Sequence, residues 1–292
     1  MKYKIRHITE YKYKKTVDLC HNRLCLVPVE SANQKCISSA IIVSPKPDEV
    51  SVREDFFGNS ITLFSIYKEH SKLEVISESI VEIENLLFKN QGVNSDIKWI
   101  SVRKIIISSP ELAEEIIQYT VPSTYIPYSE LIKEFAEDCF KENDTLWNAC
   151  IALMQKIFTT IKFTPGFTSV NTPVETVVKA RKGVCQDLAH LMIACLRNMG
   201  LPARYVSGYI ETIAPLGKEK LIGTDASHAW VSVYFPALGW IEFDPTNNLL
   251  PNFQHIVVGY GRDYQDVAPI KGIVFSSGEQ NLKVQVDVQR LN

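Results

Sequence analysis

Arg181-Lys-Gly-Val-Cys185-Gln-Asp-Leu-Ala-His190-Leu-Met-Ile-Ala-Cys-Leu-Arg197 reads as a cysteine on the first turn of a buried helix, with a glycine just before it. A helix start carries partial positive charge and free backbone N–H groups. A thiol placed there is pushed toward thiolate, the nucleophilic form. The same N–H groups can hold an oxyanion that develops when the thiolate attacks a carbonyl. An isolated cysteine is more often a small apolar packing residue, so Cys185 needs company before it counts as a nucleophile.

That company lies downstream. Ser227-His228-Ala-Trp230-Val-Ser-Val-Tyr-Phe235 alternates and is rich in β-formers, so it predicts a strand opening at a histidine. Pro236-Ala-Leu-Gly239 is a turn signal, and Trp240-Ile-Glu-Phe-Asp244-Pro245-Thr246-Asn247 predicts the returning strand. A thiol, an imidazole and a carboxylate at a helix start and two adjacent strand ends match attacker, base and orienter of the base. The register leaves two orienters open. A four-residue turn pairing Phe235 with Trp240 sets Asn247 opposite His228, whereas a three- or five-residue turn, or a bulge, brings Asp244 onto the histidine's face.

These segments, with Gly200-Leu-Pro-Ala-Arg204-Tyr-Val-Ser-Gly208-Tyr209, resemble the core of bacterial transglutaminase-like proteins. Roughly the first eighty residues are similar to that family's β-rich N-terminal region, with Phe56-Phe-Gly58-Asn59 and Tyr11-Lys-Tyr13 as the recognisable parts. The resemblance implies an α+β, papain-like core preceded by a small antiparallel β-sandwich. It also implies Cys185 as nucleophile, His228 as base and acid, and Asp244 as orienter, with Asn247 in reserve. Relatives of this kind include amide hydrolases, acyl transferases and inactive members. The reaction expected is hydrolysis of a peptide or isopeptide bond in a peptide or protein substrate. Acyl transfer to a primary amine is the first alternative, and a binding or assembly module without turnover is the second.

Composition divides the 292 residues at about position 90. Residues 1–90 carry strand-like runs at 22–29, 35–44, 50–57, 60–67 and 72–83, with Gly58-Asn59 as a two-residue hairpin signal. Residues 91–292 are assigned to the catalytic core. Within it, Lys104-Ile-Ile-Ile-Ser108 suggests an edge strand or packed linker. Helices are expected from Pro110, over 129–140 and over 144–158, and Thr172-Pro-Val-Glu175 resembles a helix cap. Strands dominate after Pro202, and Lys283-Val-Gln-Val-Asp-Val-Gln alternates near the C-terminus.

Other residues have plainer readings. His190 lies five positions beyond Cys185, roughly 140° around a helix, and is read as supporting structure. Gln186 and Asp187 suit a capped helix start, and Cys195 a core thiol. Arg204 suggests a buried ion pair, and Trp230 and Trp240 core aromatics beside the triad. Pro165-Gly-Phe-Thr168 and Asn171-Thr172 are candidates for a second oxyanion donor. Cys20, Cys25, Cys36 and His21 match no compact zinc spacing, so neither metal nor cofactor is expected. A net charge of −2 gives no general affinity for nucleic acid or anionic membrane. No run of eighteen apolar residues and no signal-like leader are evident, and seven cysteines without paired spacing suit a reducing cytoplasm.

Overall fold

A computed structural model describes residues 1–84, 96–212, 226–236, 238–275 and 278–291. The chain opens with six strands: β1 Lys2–Val17, β2 Leu19–Leu24, β3 Gln34–Ser44, β4 Glu49–Glu54, β5 Ser60–Ile66 and β6 His70–Ile83. Helices α1 Trp99–Ile107, α2 Pro110–Ile116, α3 Glu130–Ala136 and α4 Leu146–Thr160 follow. Next come β7 Lys162–Phe163, α5 Val174–Ala180, β8 Lys182–Gly183 and α6 Cys185–Asn198. The remainder is β9 Ala203–Ile210, β10 Ala226–Phe235, β11 Gly239–Phe243, β12 His255–Gly261, α7 Tyr264–Val267, β13 Ile270–Phe275 and β14 Gln280–Leu291.

Two four-stranded antiparallel sheets, ordered β14-β1-β6-β3 and β13-β2-β5-β4, make the expected sandwich. They meet through Val17, Cys20, Leu24, Phe64, Ile66, Leu73 and Val75. The strand-like runs named above start only at residue 22, yet β1 buries Tyr3, Ile5, His7 and Thr9 in strict alternation. Lys2, Lys4 and Arg6 between those positions give the charged–buried alternation of a half-buried strand. The division at residue 90 follows the chain but not the sheets. β14 pairs with β1 from Lys2↔Leu291 to Tyr13↔Gln280, and β13 pairs with β2, so the chain's last strands complete the first region.

A third sheet, ordered β11-β10-β9-β12, carries α6 against β9 and β10. The helix is buried from Asp187 to Arg197, and α3, α4 and α5 cover its other sides. In α4 the buried residues are Leu146, Ala149, Cys150, Leu153, Met154 and Ile157, a helical stripe, and the Thr145 side chain caps the helix by accepting the Asn148 N–H. Each large apolar side chain removed from water in this way contributes about 1.5–3 kcal/mol.

Three local expectations are corrected. Lys104–Ser108 closes the helix α1 instead of forming a strand, and it buries Val102 and Ile106 four residues apart. Thr172 does not cap α5: Pro173 holds that position, and the Thr172 hydroxyl accepts the Ser169 N–H. The β4–β5 connection spans 55–59, since Glu54 pairs with Ser60, so Gly58-Asn59 belongs to a five-residue turn. Asp55 organises that turn by accepting the N–H groups of Phe57 and Asn59.

Candidate active site

Cys185 is the first residue of α6 and is partly buried. Its backbone N–H, at the first helical position, has no intrahelical acceptor and points out of the helix start. Asp187 fixes the turn by accepting the Val184 N–H at 2.7 Å and the Thr168 hydroxyl at 2.6 Å on one carboxylate oxygen. Burial pushes the Asp187 carboxyl up, and these two donors oppose the shift. Gly183 is needed for this geometry. A Cβ there would stand 3.0 Å from Asp187 Cβ and 3.2 Å from Val177 Cγ1.

The hairpin uses the three-residue turn. Phe235 pairs with Gly239 and Val231 with Phe243, and continuing that register brings Asp244 onto the face of His228. His228 Nε2 meets Asp244 Oδ2 at 2.7 Å. Asn247, the reserve orienter, does not replace Asp244 but joins it. Its Nδ2 donates to the same Oδ2 at 2.7 Å and lies 3.4 Å from His228 Nε2. The other oxygen, Oδ1, accepts the backbone N–H groups of Thr246 and Asn247 at 2.9 and 3.2 Å.

The electrostatics follow from these contacts. Burial alone would lower His228, but hydrogen bonds and charge from Asp244 and Cys185 outweigh it and raise the imidazole to about 9. Burial alone would raise Asp244. Its bonds to His228, His255 and Asn247 hold it well below the usual carboxylate range instead. Asp244 takes His228 Nε2, which leaves Nδ1 as the ring atom to exchange a proton with the Cys185 thiol.

Aromatic walls enclose the imidazole. Trp230 is fully buried, 5.7 Å from His228 between ring centroids, and donates its indole N–H to Glu242 Oε2 at 2.8 Å. Gly208 opposite His228 makes room for it, since a Cβ there would come within 2.5 Å of the indole and 2.1 Å of the Ile256 carbonyl. Arg204, expected in a buried ion pair, forms a stack with two aromatic rings. Its guanidinium lies 4.2 Å from the Trp240 ring and 3.7 Å from the Tyr260 ring, with the Glu242 charge nearby.

His190 is structural. Its Nε2 accepts the Tyr264 N–H at 3.2 Å, its ring stacks on Tyr125, and burial, reinforced by Arg197, drives it down to about 3. Cys195 is fully buried among helix neighbours. In the loop before α6 the Thr168 hydroxyl donates to Asp187 and Asn171 Oδ1 accepts the Tyr125 hydroxyl, while Gln186 in the first turn of α6 donates Nε2–H to the Val170 carbonyl. Cys20 and His21 sit on opposite faces of β2, Cys20 against His70 and His21 on Ser65.

Sequence reasoning missed His255. Its Nε2 meets Asp244 Oδ2 at 3.1 Å, the same oxygen that His228 Nε2 meets. Among the described residues, His228, Asp244 and His255 are the group that could hold a metal ion, with ligand atoms within 4.8 Å of one another. The hydrogen bonds argue for protons there. His255 Nδ1 accepts the Asn252 N–H at 3.4 Å, so the ring proton sits on Nε2 and goes to Asp244. A metal on Nε2 would force a proton onto Nδ1, facing that N–H. No spacing rule ties position 255 to 228 or 244. The only sequence signal was a histidine opening the apolar run Ile256-Val-Val.

Comparison with known proteins agrees with this architecture. Residues 3–82 match the Bacterial transglutaminase-like N-terminal region, and residues 133–245 match the Transglutaminase-like superfamily. The uncharacterized protein Rv2569c of Mycobacterium tuberculosis is 35% identical over 98% of this chain and 92% of its own length. A protein-glutamine gamma-glutamyltransferase of Pseudomonas aeruginosa is 39% identical over 72 residues, 24% of this chain and 11% of that protein. The crystal structure of a "Putative Cysteine Protease" from Cytophaga hutchinsonii shares the fold, with a TM-score of 0.74 at 20% identity over 100% of this chain and 92% of that one.

Proposed function

The chain belongs to the transglutaminase-like superfamily, and from that premise we propose that it is a cysteine protease or amidase acting through Cys185, His228 and Asp244. The observation that carries this reading is the His228–Asp244 contact of 2.7 Å on an imidazole that also partners the Cys185 thiol. The thiol proton passes to His228 Nδ1, and the Cys185 sulfur attacks the carbonyl carbon of a peptide or isopeptide bond. Negative charge collects on the carbonyl oxygen, where the Cys185 backbone N–H receives it. His228 returns the proton to the departing amine, the C–N bond breaks, and a thioester remains on Cys185. A water deprotonated by His228 then hydrolyses the thioester. Asp244 keeps the imidazole in the Nε2–H tautomer and stabilises the imidazolium formed in each step.

Transfer of the acyl group to a primary amine is the second reading, favoured by the partial likeness to the gamma-glutamyltransferase. The two readings share every step up to the thioester. Incubation with a glutamine peptide, with and without a small primary amine, separates them by mass spectrometry. Hydrolysed product that depends on Cys185 and outweighs amine adduct is the expected result. Amine incorporation exceeding deamidation would overturn hydrolysis.

A further inference from the structure

We propose that His255 is a positioning residue of the site, an Nε2-protonated imidazole that holds Asp244 at the oxygen it shares with His228; its catalytic meaning rests on the thiol chemistry proposed above. Three observations carry it. The Asn252 N–H at Nδ1 assigns the ring proton to Nε2, and Nε2 donates to Asp244 Oδ2 at 3.1 Å. The ring is held edge-on to Trp230, with centroids 5.2 Å apart and planes at 82°, so its rotation is blocked by a fully buried indole. The strand that delivers it, β12, is itself clamped along its outer edge.

The clamp comes from the N-terminal region. β12 pairs with β9 on one side and is the edge of its sheet. On the open side, Gln34 Oε1 accepts the Val257 N–H at 2.8 Å while Gln34 Nε2 donates to the Val257 carbonyl at 2.7 Å. Asn59 does the same to Tyr260, at 2.8 Å to the N–H and 2.7 Å to the carbonyl. Both amides thus bracket one residue each, as a neighbouring strand would. A bulge between Val257 and Gly259 changes the parity of β12, so that positions 257 and 260 both turn their peptide groups outward. The turn Phe56-Phe-Gly58-Asn59, together with Asp55, therefore serves to present the Asn59 amide to the strand that begins at His255.

Asp244 needs this extra donor. Its Oδ2 faces His228, Asn247 and His255 together, and a carboxylate with three donors on one oxygen has one orientation available to the catalytic imidazole. His255 touches neither Cys185 nor a substrate carbonyl in this scheme; it acts through Asp244.

Two measurements on the full chain test the role. The first is the tautomer of His255 by nitrogen-15 NMR of histidine-labelled protein, assigned with the His255→Gln variant. A neutral ring protonated at Nε2 is expected; a ring protonated at Nδ1 overturns the proposal. The second is the pH profile of Cys185 alkylation in wild type, His255→Phe and His255→Gln, with thermal melting alongside. Phe keeps the ring packing and loses the donor, and loss of one charge-assisted hydrogen bond should slow labelling near neutral pH roughly tenfold. Gln retains an N–H donor and should recover most of that loss, which a purely structural role would not produce. A wild-type profile in a folded His255→Phe protein overturns the proposal. An ordinary thiol profile in the wild type itself would instead overturn the function proposed above, and the tautomer then decides the geometry at His255 alone.

Discussion

At the scale of residues, the site is a chain of proton contacts ending in one carboxylate. Asp244 is fully buried and accepts five hydrogen-bond contacts: His228, Asn247 and His255 at one oxygen and two backbone N–H groups at the other. A buried carboxylate so supplied stays ionised and keeps the imidazole charged. Substituting Asp244→Asn removes the charge but little volume, so alkylation of Cys185 at neutral pH should fall on the order of tenfold or more, as should His228→Ala. Wild-type labelling in both variants would contradict the assigned roles. The same contacts make stability depend on pH. His228 is raised to about 9, above its unfolded value, so its contribution is fully present below about 6.5 and is lost as pH rises through 9. Asp244 is depressed, so its contribution is present above about 3.9 and fades as pH falls below that. The stability gap between wild type and His228→Ala in urea unfolding should therefore narrow between pH 6.5 and 9.

At the scale of elements, one helix and one hairpin must meet at the correct register. The three-residue turn at 236–238 sets parity, and Gly208 on β9 lets the Trp230 ring lie against the strand beside His228. Gly208→Val would drive a Cβ into the Ile256 carbonyl and the indole, costing about 1–3 kcal/mol and lowering Tm by several degrees. An unchanged melting temperature would show that β9 and β12 can separate without loss. The hairpin is where sequence reasoning went furthest: both strands were evident from alternation and the turn from Pro236 and Gly239. Its register was not, because counting residues cannot reveal whether a turn holds three or four. Lys104–Ser108 went the other way, since three consecutive isoleucines favour a strand by propensity but pack as the end of α1.

At the scale of the whole molecule, the two sheets of the sandwich and the sheet that carries the candidate site share one framework. The C-terminal strands β13 and β14 return to pair with β2 and β1, tying both ends of the chain to the same sandwich. Asn59, with no exposed surface, then joins that sandwich to β12 through Tyr260. Replacing it by leucine leaves the Tyr260 peptide groups and Asp55 short of partners, at about 1–3 kcal/mol for each unsatisfied group. Asn59→Asp should be no milder, because the Tyr260 carbonyl and Asp55 would then face a carboxylate. Urea midpoints for the two variants check this, and wild-type midpoints would remove the clamp from the account.

The amino-acid sequence by itself determined the alternation of the strands, the apolar stripe of α4, the buried helix that starts at Cys185, and the residue types of the Cys185, His228 and Asp244 site. These are local: each depends on spacing within a few residues or on chemistry a single side chain carries. Tertiary structure decided what depends on distance along the chain. It chose the turn length that put Asp244 on the face of His228, brought Asn247 in as a second donor, and carried His255 back from β12 to the same oxygen. It also joined β13 and β14 to the first sandwich and not to the sheet that carries the candidate site. A sheet edge can be completed by any strand that reaches it, so only the folded chain determines which one does.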